Sequence, residues 1–246
     1  MAETSDKKVA IVTGAGSGVG RDTALLLADA GYAVVLVART EAKLHETAEY
    51  VREEGTPEAE TFVRPTDVSD PDAVDALVKG VHEKYGRIDA AANVAGSAPL
   101  QPIDRITNEV IDDALDVNLK SVIYMTRALW PIFKSQKDSG GGVICNVSSM
   151  ASIDPFKGFN VYAAAKAGVN LFTKATADEG ARINVRAAAV APGAIETPML
   201  RANFSTKAIP EANSLDPLVV AGVVRDVITG ACELEPGETI PLPSPH

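Results

Sequence analysis

The sequence predicts an α/β fold in which helices cover both faces of a doubly wound parallel sheet. Short apolar, β-branched runs alternate along the chain with helical segments of about ten to twenty residues, which indicates right-handed crossovers between parallel strands. A glycine-rich turn joins the first strand to the first helix. Because 246 residues suffice for one sizeable core and two domains would each be small, we expect a single domain over residues 1–246.

The glycine-rich turn predicts a site for a pyrophosphate. Residues 8–13 predict a buried strand and residues 21–30 a helix closed by Gly31, and between them the chain reads Thr-Gly-Ala-Gly-Ser-Gly-Val-Gly at 13–20. A turn of this kind lets backbone N–H groups approach an anion that the helix dipole also favours. No Gly-Lys-Ser/Thr follows, so the turn is not a P-loop. Taken alone, it is equally interpreted as a tight turn.

The remaining elements alternate in the same way. Further strands are predicted at 33–38, 60–64, 88–93, 142–147 and 183–191. Helices are predicted at 41–54, 70–85, 108–135, about 161–180 and 216–229. The segment of about 195–215 is predicted to be a mobile lid over a substrate pocket.

Tyr162 and Lys166 are the residues around which the chemistry is predicted. They stand four apart in Tyr-Ala-Ala-Ala-Lys and therefore share one helix face. A phenol titrates near pH ~10, and a cation within a few Å favours the phenolate, so the pair predicts acid-base chemistry near neutrality. Ser149 follows the apolar run 142–147 and would converge with them on one carbonyl oxygen. Without this context, the pentapeptide is an ordinary helix former.

Together these residues resemble the short-chain dehydrogenase/reductase family, in its compact single-domain branch. The resemblance rests on Thr-Gly-x-x-x-Gly-x-Gly at 13–20, on Ser149 and on the Tyr-x-x-x-Lys pair, and it covers nearly the whole chain. It implies that Tyr162 is the general acid/base, that Lys166 lowers the tyrosine pKa and holds the nicotinamide ribose, and that Ser149 polarises the substrate carbonyl. It also implies a helix kink at Asn118 that anchors a relay water, although an asparagine there also suits a polar helical stripe.

The same resemblance implies a set of cofactor contacts. The phosphate turn would use Thr13, Gly14, Ser17, Gly18, Val19 and Gly20. The adenosine end would meet Asp67, Val68, Asn93 and Gly96, and the nicotinamide end would meet Tyr162, Lys166, Pro192, Gly193, Ile195 and Thr197. Without the family, Asp67 is equally interpreted as a turn residue or a helix cap.

Arg39 bears on the choice of cofactor. An acidic residue about 20 positions after the glycines binds the adenosine ribose hydroxyls, whereas a basic one accommodates a 2′-phosphate. Here Ala38 stands where the acid would be and Arg39 follows it. A guanidinium complements a phosphate, so NADP(H) is favoured and NAD(H) is the alternative. Ser17 occupies the place of a second basic residue that NADP-binding relatives carry, and a solvated arginine is the other interpretation of Arg39.

Charge and composition limit the partners. The net charge of −10 and the sequence pI near 4.8 argue against nucleic acid and anionic membranes. Two cysteines and three scattered histidines offer neither a disulfide framework nor metal-ligand spacing, so no metal is predicted. No apolar run has membrane length and the first residues do not resemble a signal peptide, which predicts a cytoplasmic protein.

We therefore expect an oxidoreductase that reversibly reduces a ketone to a secondary alcohol with NADP(H). Apolar residues near the tyrosine suit a 3-oxoacyl thioester or another medium-sized ketone; they are Phe156, Phe159, Met199, Leu200 and Phe204. The alternatives are a non-catalytic NADP(H) sensor on the same fold and a nucleotide-sugar epimerase or dehydratase. The family resemblance implies a homo-oligomer, a dimer or tetramer, although the ending 235–243 departs from the family's usual last strand. Val94 and Ala187-Ala188 also depart from the family's motifs.

Overall fold

The computed structural model describes residues 7–245, which form a seven-stranded, wholly parallel sheet. Its order is β3-β2-β1-β4-β5-β6-β7. The strands are β1 (Val9–Thr13), β2 (Ala33–Ala38), β3 (Glu60–Pro65), β4 (Ala90–Asn93), β5 (Gly142–Val147), β6 (Val185–Pro192) and β7 (Thr239–Leu242). The predicted doubly wound sheet of Rossmann type is confirmed, and the order reverses between β1 and β4, where such folds bind ligands.

Helices cover both faces of the sheet. They are α1 (Gly18–Asp29), α2 (Glu41–Glu54), α3 (Pro71–Tyr85), α4 (Asn108–Leu115), α5 (Ser121–Ser135), α6 (Asn160–Gly180), α7 (Pro198–Asn203) and α8 (Pro217–Thr229). α1, α2 and α8 pack on one face, and α3, α5 and α6 pack on the other. Within residues 7–245, no helix has the length and apolar character needed to cross a membrane.

The central strands are buried on both faces, which explains why they read as continuous apolar runs. In β1, Ala10 and Val12 contact one helical layer, while Val9 and Ile11 contact the other. Successive side chains of a strand point to opposite faces, so a strand between two layers needs apolar residues at every position. The alanines of β6 that depart from the family pattern, Ala187 and Ala188, are buried in these two layers.

Several elements differ from the sequence-based expectation. Strands β4 and β6 begin at Ala90 and Val185, two residues later than predicted. The helix predicted at 108–135 is interrupted by a π-helical turn at Asp116–Lys120. The first helix begins at Gly18 rather than at residue 21, because a bare Gly20 lets the first turn pass close to the carbonyl of Gly14. A seventh strand, β7, forms within the unusual ending and pairs with β6, although no strand was predicted there.

The carboxyl ends of the strands gather the residues singled out by the sequence. β1, β4, β5 and β6 end at Thr13, Asn93, Val147 and Pro192, and the loops that follow them lie side by side. Parallel strands place these loops at one edge of the sheet, so the glycine-rich turn, Gly96, Ser149 and Gly193 are brought together.

Candidate active site

A cleft of about 770 Å³ opens at the carboxyl edge of the sheet. It is lined by fourteen of the residues predicted to act in catalysis or cofactor binding: Gly14, Ser17, Gly18, Val19, Gly20, Gly96, Asn118, Ser149, Tyr162, Lys166, Pro192, Gly193, Ile195 and Thr197. Five predicted residues lie outside its lining: Thr13, Arg39, Asp67, Val68 and Asn93. The cleft therefore unites the predicted catalytic residues with the predicted phosphate and nicotinamide ends of the cofactor site.

The glycine-rich turn leaves an open cradle for a phosphate. Gly18 has a φ of +51°, in the left-handed region, and a Cβ there would lie 3.0 Å from Cγ2 of Thr197 across the cleft. Ser17 precedes α1 as its N-cap, yet its side chain makes no capping hydrogen bond. The first N–H groups of α1 thus keep their capacity for an anion, and the residues present fit the pyrophosphate of a dinucleotide.

Thr13 supports the neighbouring turn. Its hydroxyl oxygen accepts hydrogen bonds from the N–H groups of Val94 at 3.0 Å and Ala95 at 3.1 Å. Gly14 approaches the same turn so closely that a Cβ would lie 2.9 Å from the nitrogen of Ala95. Because these contacts use the backbone of Val94, they do not depend on its side chain, where the family usually has asparagine.

Asn93 also braces the scaffold. Its side-chain amide donates to Oδ1 of Asn146 at 2.8 Å, and the amide of Asn146 donates to the Thr173 hydroxyl at 2.8 Å. That hydroxyl in turn donates to the carbonyl of Val169 at 2.7 Å. This buried chain ties β4 and β5 to α6, the helix that carries Tyr162. Asn146 and Thr173 were not identified from the sequence, although an asparagine inside an apolar strand was the available signal.

Asn118 lies at the centre of the π-helical turn, where the kink was expected. Its amide nitrogen donates to the carbonyls of Ser97 at 2.8 Å and Ala114 at 2.9 Å, and its Oδ1 accepts from the N–H of Ser97 at 3.2 Å. A Cβ on Gly96 would stand 2.9 Å from this Oδ1 and 3.5 Å from Nζ of Lys166. The fully buried Asn118 side chain thus holds the bulge and the loop after β4 together.

Lys166 is buried, and within residues 7–245 its ammonium has no carboxylate among its hydrogen-bond partners. Its Nζ donates to the carbonyl of Val147, the last residue of β5, at 2.8 Å. The same nitrogen lies 5.8 Å from the ring centroid of Tyr162. Burial lowers the pKa of Lys166 to about 8, because desolvation disfavours the ammonium. The lysine therefore changes charge near neutral pH.

The pKa of Tyr162 differs from the expectation. Burial raises the pKa of the Tyr162 phenol, and the hydrogen bond with the Ser149 side chain only opposes that rise. The net shift of the Tyr162 pKa is therefore upward, opposite to the expected lowering, because desolvation dominates at the phenol. A protonated phenol is the form that donates a proton.

Ser149 is held where strand β5 gives way to α6. Its hydroxyl oxygen accepts from the N–H of Ala151 at 3.1 Å, capping the short turn Met150–Ser152. The Ser149 side chain also hydrogen-bonds that of Tyr162. The two hydroxyls, both O–H donors, therefore lie together in the lining of the cleft.

The predicted adenosine contacts lie beyond the cleft, at the ends of β2 and β3. Asp67 accepts from the N–H of Ser69 at 3.0 Å and from its hydroxyl at 2.6 Å; these bonds, with the charge of Arg39, lower the Asp67 pKa. Asp70 caps α3, so Asp67 is a turn residue rather than the helix cap. Val68 is buried. Among the described residues, no hydrogen bond or ion pair engages the exposed Arg39 guanidinium.

Residues 195–215 form the outer wall of the cleft and are called the lid segment below. Thr197 caps α7 by accepting from the N–H of Leu200 at 3.3 Å, and it donates to the carbonyl of Ile195 at 3.1 Å. Asn203 reaches over the cleft and donates to the carbonyl of Ala98 at 2.9 Å. The lid segment is therefore anchored on both sides of the cleft.

An ion pair that was not identified from the sequence fixes the lid segment. Nε of Arg201 donates to Oε1 of Glu196 at 2.7 Å, and a second nitrogen of the guanidinium binds the other carboxylate oxygen. Ser214 also donates to this carboxylate, at 2.9 Å, while Arg201 donates to the carbonyl of Ile209 at 2.8 Å. Arg201 and Glu196 together thus join the beginning, middle and end of the segment. The sequence shows only an acidic and a basic residue five positions apart on either side of a helix start. Such pairs are common on protein surfaces, so this one did not stand out.

Aromatic rings form the wall next to Tyr162. The ring centroid of Phe159 lies 5.3 Å from that of Tyr162 and 6.0 Å from that of Phe204 on the lid segment. Phe156 adds a third ring at 6.5 Å from Phe159, in an edge-to-face arrangement. The space above the two O–H donors is therefore apolar.

Comparison with known proteins places the chain in a family. Residues 8–208 match the family model described as short chain dehydrogenase. A protein of Streptomyces virginiae, provisionally named a ketoacyl reductase of the monensin polyketide synthase, is 42% identical over 195 residues, which cover 79% of this chain and 73% of that protein. A short chain dehydrogenase/reductase of Aspergillus oryzae is 37% identical over 207 residues, 84% of this chain and 78% of the relative.

Solved structures agree with these matches. An actinorhodin polyketide ketoreductase variant with NADPH superposes with a TM-score of 0.88 and 30% identity, covering 99% of this chain and 98% of that one. A 3-ketoacyl-(acyl-carrier-protein) reductase from Brucella melitensis, complexed with NADH, gives 0.86 and 30%, with 95% and 96% coverage. With Ser149, Tyr162 and Lys166 assembled in one cleft, the chain belongs to the short-chain dehydrogenase/reductase family and is an oxidoreductase.

Proposed function

We propose that the protein is an NADP(H)-dependent ketoreductase that reversibly converts a ketone to a secondary alcohol. One observation carries the proposal: the hydrogen-bonded side chains of Ser149 and Tyr162 and the buried Lys166 line one cleft together with the glycine-rich turn. Relatives that are named ketoreductases and ketoacyl reductases support the reaction class.

In this proposal each side chain has one task. A bound nicotinamide supplies the hydride that reaches the carbonyl carbon. Tyr162 gives its phenolic proton to the carbonyl oxygen as negative charge develops there, and Ser149 donates a hydrogen bond to the same oxygen. The raised pKa of Tyr162 keeps the phenol protonated at neutral pH, which is the form that can donate the proton in reduction.

Lys166 and Asn118 complete the proposed proton path. The Lys166 ammonium stabilises the phenolate that remains after proton transfer, since a cation close to the ring favours the charged form. The bulge held by Asn118 keeps the loop after β4 against the lysine. We propose that a water at this bulge returns the proton to the site through Lys166.

The preference for NADP(H) rests on Arg39. Its guanidinium is exposed at the end of β2, free of ion pairs among the described residues, and no carboxylate occupies position 38. Lys43, on the first turn of α2, lies against the glycine-rich turn: a Cβ on Gly16 would be 3.1 Å from its Cβ. Two cations beside the proposed adenosine ribose favour a 2′-phosphate. The solved relatives carry NADH in one case and NADPH in another.

The aromatic wall favours an apolar ketone of medium size, with a 3-oxoacyl thioester among the candidates. Phe159 and Phe204 stack edge to face beside Tyr162, and the lid segment with Met199 and Leu200 closes the other side. We propose that the lid segment opens to admit the substrate, and that the enzyme works as a homo-oligomer.

The first test is a substrate survey. NADPH oxidation is followed with ketones, aldehydes and 3-oxoacyl thioesters and repeated with NADH. Saturable oxidation with an apolar ketone, at a higher kcat/KM for NADPH than for NADH, would support the proposal. Tight binding of NADPH with no turnover of any compound would instead favour a dinucleotide sensor on the same fold.

A further inference from the structure

The segment after β7 folds back over the cofactor end of the cleft. Pro243, Ser244 and Pro245 line the cleft together with Gly193 and Ala194 of the turn after β6. Proline locks φ, so a Pro-Ser-Pro run is stiff and presents its serine in a fixed direction. This ending is the part of the chain that departs from the family's usual last strand.

Ser244 makes a short hydrogen bond to that turn. Its Oγ accepts from the N–H of Ala194 at 2.7 Å, and it also lies 3.5 Å from the carbonyl oxygen of the same residue. The N–H of Gly193 donates to the carbonyl of Leu242 at 2.8 Å, which extends the strand pairing up to the serine. Both N–H groups of the turn are therefore satisfied from the β7 side.

The turn is shaped to receive the serine. A Cβ on Gly193 would lie 2.3 Å from Oγ of Ser244 and 2.7 Å from its backbone nitrogen. Such distances are far below van der Waals contact, so any side chain at 193 would expel the serine. Gly193 and Ser244 thus fit each other closely. Ile195, two residues after Gly193, belongs to the predicted nicotinamide end of the cofactor site.

We propose that Ser244 is a positioning residue for the nicotinamide end of the cofactor site. Its hydroxyl holds the N–H of Ala194, while the N–H of Leu215 donates to the carbonyl of the same residue at 2.8 Å, and together the two bonds set the backbone that leads to Ile195 in the cleft. The inference rests on the proposed dinucleotide function. It adds a residue that no catalytic or glycine motif of the sequence contains.

The position of Ser244 restricts its effect to one half of the cofactor. The turn after β6 lies across the switch point from β2 and Arg39, because β1, β4 and β5 separate those strands. Loss of the hydroxyl would disturb the nicotinamide half and leave the adenosine half in place. If the Ser244 hydroxyl only stabilised β7, its loss would lower the affinity of the protein for both halves of the cofactor or for neither half.

The test compares NADPH with adenosine 2′,5′-bisphosphate, which contains only the adenosine half. Dissociation constants are measured by calorimetry for the wild type, Ser244→Ala and Ser244→Thr, with Ser139→Ala as a control that removes an exposed hydroxyl at the opposite end of the sheet. We expect Ser244→Ala to weaken NADPH binding by about tenfold and to leave the fragment unchanged, since one part-buried hydrogen bond is lost. Ser244→Thr keeps the hydroxyl and should restore NADPH binding.

Two results would overturn the inference. Wild-type affinity of Ser244→Ala for NADPH would show that the hydroxyl does not position the site, and an equal loss for NADPH and the fragment would show a general structural role. These results leave the proposed ketoreductase intact. Failure of the wild type to bind either NADPH or NADH would overturn the proposed function and the inference with it.

Discussion

Nζ of Lys166 lies 2.8 Å from the carbonyl oxygen of Val147, the last residue of the strand that leads to Ser149. The lysine therefore links the catalytic helix to the strand end through a neutral partner. Burial lowers the pKa of Lys166 from 10.5 to about 8, and no carboxylate of the described part of the chain hydrogen-bonds the ammonium to offset this. Lys166, whose positive charge the proposed mechanism needs, therefore loses its proton near pH 8 rather than above pH 10.

The first prediction is an alkaline limb in the pH profile of reduction. As the pH rises through about 8, Lys166 loses its proton and stops stabilising the phenolate, so kcat/KM for the ketone should fall. Lys166→Arg keeps the charge at high pH. We expect this variant to be slower but to lose the limb near pH 8, as measured by initial rates of NADPH oxidation. A wild-type profile that stays flat to pH ~10 would contradict the assignment.

The second prediction concerns stability at the same residue. The pKa of Lys166 is lower in the folded protein than its ordinary value of 10.5, so its ionisation costs stability below pH about 8, and this cost disappears as the pH rises toward 10.5. Lys166→Met removes the buried charge. We expect Tm of the variant to exceed that of the wild type at neutral pH, with the difference vanishing at alkaline pH, as measured by calorimetry. A variant that is less stable only at neutral pH would contradict this sign.

The third prediction concerns Gly96. A Cβ there would stand 2.9 Å from Oδ1 of the fully buried Asn118, so Gly96→Ala must displace the asparagine that holds the bulge. We expect a loss of roughly 1–3 kcal/mol in the free energy of unfolding, from a disturbed buried polar group, together with a lower kcat. Urea denaturation and initial rates measure the two effects.

Gly222→Ala is the matched control for that substitution. Gly222 lies inside α8, and no atom of the described residues stands within 4 Å of a Cβ built there. Alanine is the better helix former by about 1 kcal/mol, so this variant should be more stable with unchanged rates. If both alanines had the same effect, the packing of Gly96 against Asn118 would not matter.

The fourth prediction concerns the ion pair of the lid segment. Glu196→Gln keeps the size of the side chain but removes the charge that binds Arg201 and Ser214. The segment should lose its fixed shape over the cleft, which raises KM for the ketone several-fold while NADPH affinity stays the same. Asp75→Asn is the control, because Asp75 binds Arg127 through both carboxylate oxygens at 2.8 Å on the helical face away from the cleft. Equal KM values for all three proteins would contradict a role of the pair in substrate binding.

The fifth prediction concerns cofactor choice. Arg39→Ala and Lys43→Ala should each weaken NADPH binding by about tenfold, because each removes one cation beside the proposed 2′-phosphate, while NADH binding stays constant. Arg52→Ala removes an exposed cation at the far end of α2 and serves as the control. Fluorescence titration with both dinucleotides checks this. If these variants lost as much affinity for NADH as for NADPH, Arg39 and Lys43 would not act on the 2′-phosphate.

The alternation of strands and helices, together with local motifs, was enough to predict the parallel sheet and the convergence of the catalytic residues. Short motifs such as Tyr-x-x-x-Lys fix geometry within one helix turn, and the carboxyl ends of parallel strands meet by topology. The pKa of Tyr162 could not be predicted in the same way. Its direction depends on burial and on where the Lys166 ammonium points, and both are set by residues distant in sequence.

The contacts that the sequence did not reveal are long-range ones. Thr13 reaches the N–H of Val94, Asn146 links Asn93 to Thr173, and Ser244 meets Ala194 fifty positions away. Each pairs common residue types far apart in the chain, through backbone groups or through other polar side chains, and such pairs leave no signature in one sequence. The seventh strand has a different reason. It contains Pro241, and a proline disfavours a strand in the interior of a sheet but is tolerated at an edge, which is where β7 lies.

The central claim is that Tyr162 delivers the proton to the carbonyl oxygen. Tyr162→Phe removes one oxygen and keeps the ring stacked on Phe159, and Tyr124→Phe on α5 is the control for loss of a phenol outside the cleft. The decisive measurement is single-turnover NADPH oxidation with a ketone that the wild type reduces, with NADPH affinity measured in parallel. We predict a rate loss of at least about 100-fold for Tyr162→Phe with unchanged NADPH affinity; a rate close to that of the wild type would contradict the account.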